Sequence, residues 1–343
     1  EMRFIALRCK DTIAPVGTIA QGVGAKQMNA HGEIYETKYG LTTSQRLYGT
    51  VTENREGRGP CYLKTDEISA AQEQDLYRAY LNMAPSQTLK WLEGENVEIE
   101  GTEPYIVGGH TASGYWIDNG RRTTVKGLFA AGDVAGGCPQ KYVTGALAEG
   151  EIAAESMTEY VKALKAVKED AAVHKTETMI DTAAALKKKE YESHLLAQKN
   201  DSEDTFFITA EQLEEAMQKV MDQYAGGIAT DYQYNEERLV IGKKRIGELL
   251  GMVDELKAKD MFELKDIYEV RERLIVCQTL IEHLRARKET RWHSFGENTD
   301  YPEESSKWLK YVNSKRKPDG ETEIIFRELV TGGKVYECTD FTE

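Results

Sequence analysis

The sequence predicts an α+β fold, and three observations predict it. Short strand-like and glycine-rich runs fill residues 1–60 of the 343. A strand–turn–helix passage lies between residues 103 and 165. Three amphipathic helical stripes follow between 206 and 290.

The first of these begins at once. Glu1 to Arg8 contains MRFIAL, a strand-like run, so the chain starts inside an element and reads as a fragment or as lacking its start. Residues 1–60 mix strand-like runs with glycine-rich turns. Over 69–93, Leu76, Tyr80, Leu81, Leu89 and Leu92 recur at helical spacing, interrupted at Pro85. EPYIV, SGYWID and KGLFAAGD then read as strands, with a hairpin signal at Asn119-Gly120. A helix is expected from about Thr144 to Lys165. Residues 166–205 are rich in Lys, Glu and Ala and read as exposed helix and linker.

The three stripes are Leu213, Met217 and Val220; Ile246, Leu249, Leu250, Val253 and Leu256; and Ile267, Val270, Leu274, Cys277, Ile281 and Leu284. They predict a three-helix bundle over 206–290. The closing segment, 291–343, holds two candidate strands, EIIFREL and KVYEC.

Apolar residues make up 40% and charged residues 30%, enough for a core of two domains. The net charge of −14 argues against nucleic acid or an anionic membrane as partner, since both need a basic face. It leaves room for a local basic pocket that takes an anion. No apolar run approaches the roughly 20 residues of a spanning helix, and no signal peptide is evident. Cys9, Cys61, Cys138, Cys277 and Cys338 show no C-x-x-C or other iron–sulfur spacing. They read as free thiols in a reducing cytoplasm, so a cluster that feeds electrons belongs on another chain.

The chemistry concentrates in GLFAAGDVAGG, Gly127 to Gly137. Its apolar half reads as a buried strand that ends at Gly132-Asp133. An Asp there can accept hydrogen bonds from sugar or ribityl hydroxyls, and Gly136 and Gly137 let backbone approach a flat ligand. The downstream helix would aim its free amides at whatever occupies the turn. An ordinary strand–turn–helix unit gives the same pattern. His110, in VGGHTASG, reads as a turn histidine, and any single arginine, Arg58 included, as a surface charge.

GLFAAGDVAGG with VTGALAEGEIAA resembles the second FAD-contacting segment of the succinate dehydrogenase/fumarate reductase flavoprotein superfamily. Within it the likeness is to adenylylsulfate reductase alpha subunits. RCKDTIAPVG (8–17), NAHGEIYE (29–36), GRGPCYLKTDE (57–67), YLNMAPSQTLKW (80–91), TEPYIVGGH (102–110), RTTVKGLFAAGD (122–133) and RWHSFGENTDYPEESSKWLKYVNS (291–314) carry it in order. The family's amino-terminal half holds a G-x-G-x-x-G, and none follows a strand here.

The resemblance implies the remainder of an FAD-binding α/β domain and a capping domain, followed by the bundle. It puts capping and substrate parts at 1–100, the second FAD segment at 101–165, linker and exposed helix at 166–205, the bundle at 206–290 and a closing segment at 291–343. It implies reduction of adenylylsulfate to sulfite and AMP, with electrons from an iron–sulfur, ferredoxin-like beta subunit in a hetero-oligomer. Reduction of an enoate such as fumarate is the rival activity, and a non-catalytic partner module the third reading. His110, Arg8 and Arg46 match residues that face the small anionic substrate. Asp133, Gly132, Ser113, Lys141, Tyr142, Val143, Thr144, Gly145 and Ala146 match the cofactor contacts. Arg291, Trp292 and His293 match the closing segment, with a structural role, and no metal ligand is implied.

Overall fold

A computed structural model describes residues 4–10, 23–83, 85, 99–107, 113–136, 142–164, 172–195, 208–291 and 296–329. The chain divides into two compact units. The first comprises 1–111, 227–233 and 289–304; the second comprises 112–226, 234–288 and 305–343. Helix and sheet are mixed, as the sequence predicts.

In the first unit, β1 (Phe4–Cys9), β2 (Lys26–Met28), β3 (Cys61–Lys64) and β4 (Ile99–Val107) form one antiparallel sheet in the order β1-β4-β3-β2. Helices α1 (Glu36–Tyr39), α2 (Thr43–Arg55) and α3 (Ala70–Met83) accompany it. Thr42 and Gln45 close a reciprocal capping box that fixes the start of α2. Period-two alternation buries Cys61 and Leu63, and Leu63 joins Leu7, Cys9, Leu47, Val51 and Leu76 in the core. A two-stranded ladder, β5 (Gln233–Tyr234) with β6 (Glu297–Asn298), lies where the later segments return. Residues 86–93 of the expected helix lie outside the described residues.

The second unit holds α4 (Tyr142–Leu164), α5 (Ala172–His194), the bundle helices α6 (Ala210–Tyr224), α7 (Glu236–Met252) and α8 (Met261–Ala286), and the hairpin β7 (Lys310–Arg316) with β8 (Thr322–Glu328). The bundle is the one the stripes predict. Leu213, Leu239, Ile246, Leu264, Ile267, Leu274 and Ile281 are fully enclosed, each contributing about 1.5–3 kcal/mol by burial. Leu249 and Leu250 are only partly buried. Gly242 marks the crossing: a Cβ there would stand 3.0 Å from the Tyr224 Cβ and 3.5 Å from Ile281. Helix α5 docks by its last residue, where buried His194 meets the Leu256 carbonyl at 2.9 Å.

Three strand expectations change, the first being SGYWID, which forms only the isolated bridges Tyr115–Ala135 and Ile117–Thr123. EIIFREL is β8, but its partner is KYVNSKR (β7), which the sequence did not single out. KVYEC lies outside the described residues. GLFAA is not a continuous buried strand. Gly127 sits at φ +80°, Leu128 donates back to Val125, and only the bridge Arg122–Phe129 forms. Leu128 is exposed as a result, while Ala130 is buried. The Asn119-Gly120 turn does form, closed by the Arg121 amide donating to Asp118 at 3.0 Å.

Candidate functional site

The cofactor-side candidates gather in the second unit. Gly132-Asp133-Val134 form one short 3-10 turn, with Gly132 at φ +72°, a conformation an L side chain resists. A Cβ on Gly132 would come within 3.3 Å of the Ala146 Cβ. The glycine is therefore what lets the turn press against the first turns of α4. Asp133 lies exposed on that turn, and Gly145 is buried beneath the exposed Val143, Thr144 and Ala146. The helix starts at Tyr142, two residues before the expected Thr144. The amides of its first turn, which have no partner within the helix, thus belong to Tyr142 through Gly145. Lys141 lies outside the described residues.

Ser113 opens a segment that runs parallel to the turn. The Tyr115 amide donates to the Val134 carbonyl at 2.8 Å, and the Gly136 amide donates to the Tyr115 carbonyl at 2.9 Å. This changes the meaning of Gly136. A Cβ there would meet the Tyr115 oxygen at 2.8 Å, and one on Gly114 would meet the Val134 oxygen at 2.4 Å. These two glycines serve the contact of backbone with backbone rather than an approach to a flat ligand. Gly137 lies outside the described residues. Arg121 ties the 118–122 turn to α4 through buried Glu149, with Nη2 2.8 Å from Oε1.

The anion-side candidates belong to the first unit. His110 lies outside the described residues. Arg8 faces Glu103 across the β1–β4 register and donates to its Oε1 from Nε and Nη2, at 2.7 Å each. Both side chains remain about one-third exposed (33% and 37%). Arg46 departs from the expectation of an open guanidinium. It is buried, ion-paired with buried Glu36, and its Nε donates to the Leu41 carbonyl at 3.0 Å. A charge removed from water needs such partners; here α1 supplies the carboxylate and the residues after it the carbonyl.

The sequence also misplaced Arg58. It grips buried Glu53, Nε to Oε2 at 2.6 Å and Nη2 to Oε1 at 2.7 Å. Asn29 at 2.9 Å and Tyr39 at 2.8 Å complete the cage. The Arg58 fork holds the Glu53 carboxyl well below the usual carboxylate range, outweighing burial, with Asn29 and Tyr39 adding to it. Glu53 thereby joins the NAHGEIYE and GRGPCYL motifs into one structure. No periodicity marks it, because a lone Glu on α2 looks like a solvated charge. The Cys61 thiol, pushed up to about 11 by burial, stays protonated and packs as a core residue. Among the described residues no group of three or more His, Cys, Asp or Glu could hold a metal ion, and no helix is long and apolar enough to cross a membrane.

No family model matches the chain. It is 28% identical over 394 aligned positions to adenylylsulfate reductase subunit alpha of Megalodesulfovibrio gigas, covering 96% of this chain and 57% of that protein. A solved adenosine-5-phosphosulfate reductase in complex with sulfite, as a covalent adduct, matches with TM-score 0.77 and 27% identity, over 96% of this chain and 59% of that one. Adenylylsulfate reductase of Archaeoglobus fulgidus matches with TM-score 0.75 and 27% identity, over the same shares. The FrdA chain of E. coli quinol fumarate reductase shares the fold, with TM-score 0.69 at 19% identity, over 98% of this chain and 60% of that one. The chain thus spans a little under three-fifths of the curated relative's length. The chain is thus similar in sequence and fold to adenylylsulfate reductase alpha subunits, and it shares its fold with the fumarate reductase chain.

Proposed function

We propose that this chain forms part of an FAD-dependent oxidoreductase that reduces adenylylsulfate to sulfite and AMP. One observation carries the reading. Gly132, in a left-handed conformation, is packed against Ala146, so an exposed Asp sits beside the amide end of a 23-residue helix. The donor set suits a flavin: an acceptor for ribityl hydroxyls in Asp133, and first-turn amides from Tyr142 to Gly145 with Ala146 behind them. Ser113 and Lys141 complete the proposed contacts. FAD, when bound, supplies the two-electron centre.

The chain's own residues set the conditions. The positive end of α4 would favour negative charge on a flavin held there and so make it easier to reduce. Arg8 and His110 offer hydrogen bonds and positive charge to an anionic sulfur group. Arg46 acts from behind, fixing α1 against α2 through Glu36. Electrons arrive from an iron–sulfur subunit; the "alpha" in the relative's name supports a further subunit in that assembly.

The test has two steps. The purified protein is titrated with FAD, alone and with its partner subunit, and a bound flavin absorption band is expected. Reduced methyl viologen then drives turnover, with adenylylsulfate and fumarate compared. AMP and sulfite formation from adenylylsulfate is the expected outcome. Turnover of fumarate alone would transfer the chain to the enoate reductases, and no bound flavin in either form would end the reading.

A further inference from the structure

We propose that Arg327, on the closing hairpin, is a positioning residue for the Gly132–Gly136 turn and acts on it through Trp116. Its consequence for cofactor binding rests on the flavin reading above. The Arg327 guanidinium carbon lies 3.9 Å from the centre of the Trp116 ring and 4.9 Å from that of Tyr311. Its Nε donates to the Asn313 Oδ1 at 2.8 Å. Tyr311 is the register partner of Arg327 across the hairpin, so β7 supplies both the second ring and the acceptor. A planar cation so placed binds an aromatic face more firmly than an ammonium does.

The next link is covalent. Trp116 follows Tyr115, whose amide and carbonyl make both rungs to Val134 and Gly136. Gly114 and Gly136 leave no room for even a Cβ between these segments. A displacement of Trp116 therefore passes directly into the turn that presents Asp133. The far end of the lever is fixed on the bundle. Arg287, the C-cap of α8, donates to the Trp308 and Lys310 carbonyls at 2.9 and 3.0 Å, and His283 of α8 meets the Ser314 hydroxyl at 2.9 Å. The hairpin braces the turn against α8, and Arg327 is its contact point.

Hydrogen exchange reads this without any cofactor. In Arg327→Ala, amide exchange over 113–117 and 132–136 is expected to accelerate about tenfold, while the α8 amides stay as protected as in the parent protein. Arg327→Lys should recover part of the protection. In parallel, the FAD dissociation constant of Arg327→Ala should rise about tenfold, with a shifted flavin spectrum. If the parent protein binds no FAD, the flavin reading fails, and the exchange result still judges the positioning role. Equal exchange at both segments in the parent and Arg327→Ala would overturn the proposal. Faster exchange with unchanged FAD binding would overturn its functional half. Should Arg327→Ala fail to fold, Trp116→Phe keeps a ring with a weaker face. Partial acceleration over 132–136 is expected there, and none would refute the coupling.

Discussion

Replacing Gly132 with alanine tests the turn against the helix it abuts. The residue sits at φ +72°, and a non-glycine residue there costs about 1–2 kcal/mol. The new methyl would also lie 3.3 Å from the Ala146 Cβ, closer than the about 3.5–4.0 Å at which carbons attract. Together these give a destabilisation of about 1–3 kcal/mol, a fall in melting temperature of about 2–4 °C for each kcal/mol in a domain of this size. Gly150 provides the internal control. It lies in the middle of α4, and a methyl added there would meet nothing within 4 Å, so Gly150→Ala should stabilise the same helix by about 0.5–1 kcal/mol. Urea unfolding of both variants measures the sign directly, and FAD titration measures whether the turn has moved from the helix end. A Gly132→Ala protein as stable as the parent, or one as stable as Gly150→Ala, would refute the packing that underlies the candidate site.

Three further outcomes follow from the buried charges. The folded-state carboxyl of Glu53 titrates below its usual range, so the stability it contributes is present above about pH 4.3 and is lost as pH falls through the depressed value. Glu53→Gln should cost about 3 kcal/mol at neutral pH and flatten that acid limb in equilibrium unfolding. Burial, with the Arg287 charge among the lesser contributions, pushes the His283 imidazole down from 6.5 to about 4. The unfolded ring takes a proton before the folded one, so stability present above 6.5 is lost toward 4, and His283→Gln should remove that slope in thermal melts. Arg121→Ala strands the buried Glu149 carboxylate and should destabilise by about 3 kcal/mol. Adding Glu149→Gln should recover part of the loss.

The elements that were legible are those written in local pattern. The bundle appears because its apolar residues recur every three or four positions over three helices, and burial of Leu213, Ile246, Ile267 and Leu274 follows that recurrence. The Gly-Asp turn and the helix after it were visible for the same reason, since a helix start and a glycine punctuation are short-range signals. β7 was not legible. KYVNSKR has a single apolar residue besides its tyrosine, and it becomes a strand because β8 lies opposite it through seven register pairs. The interrupted strand at GLFAA failed for a related reason. Its hydrophobicity suggested burial, but Gly127 turns the backbone before an extended ladder can form.

The candidate site divides along the same line. An arginine in a motif announces a positive charge, while the carboxylate that meets it lies elsewhere in the chain: Glu36 for Arg46 ten positions away, Glu103 for Arg8 ninety-five away, and Glu149 for Arg121 twenty-eight away. The sequence therefore overstates the free positive charge on offer to an anion. Arg46 is committed to a buried pair, and releasing it would leave Glu36 desolvated and uncompensated. Arg8 differs, because its pair with Glu103 is about one-third exposed, and such pairs are weak. Under the proposed function a sulfate-type anion would therefore engage Arg8 rather than Arg46, whose guanidinium is held by buried Glu36.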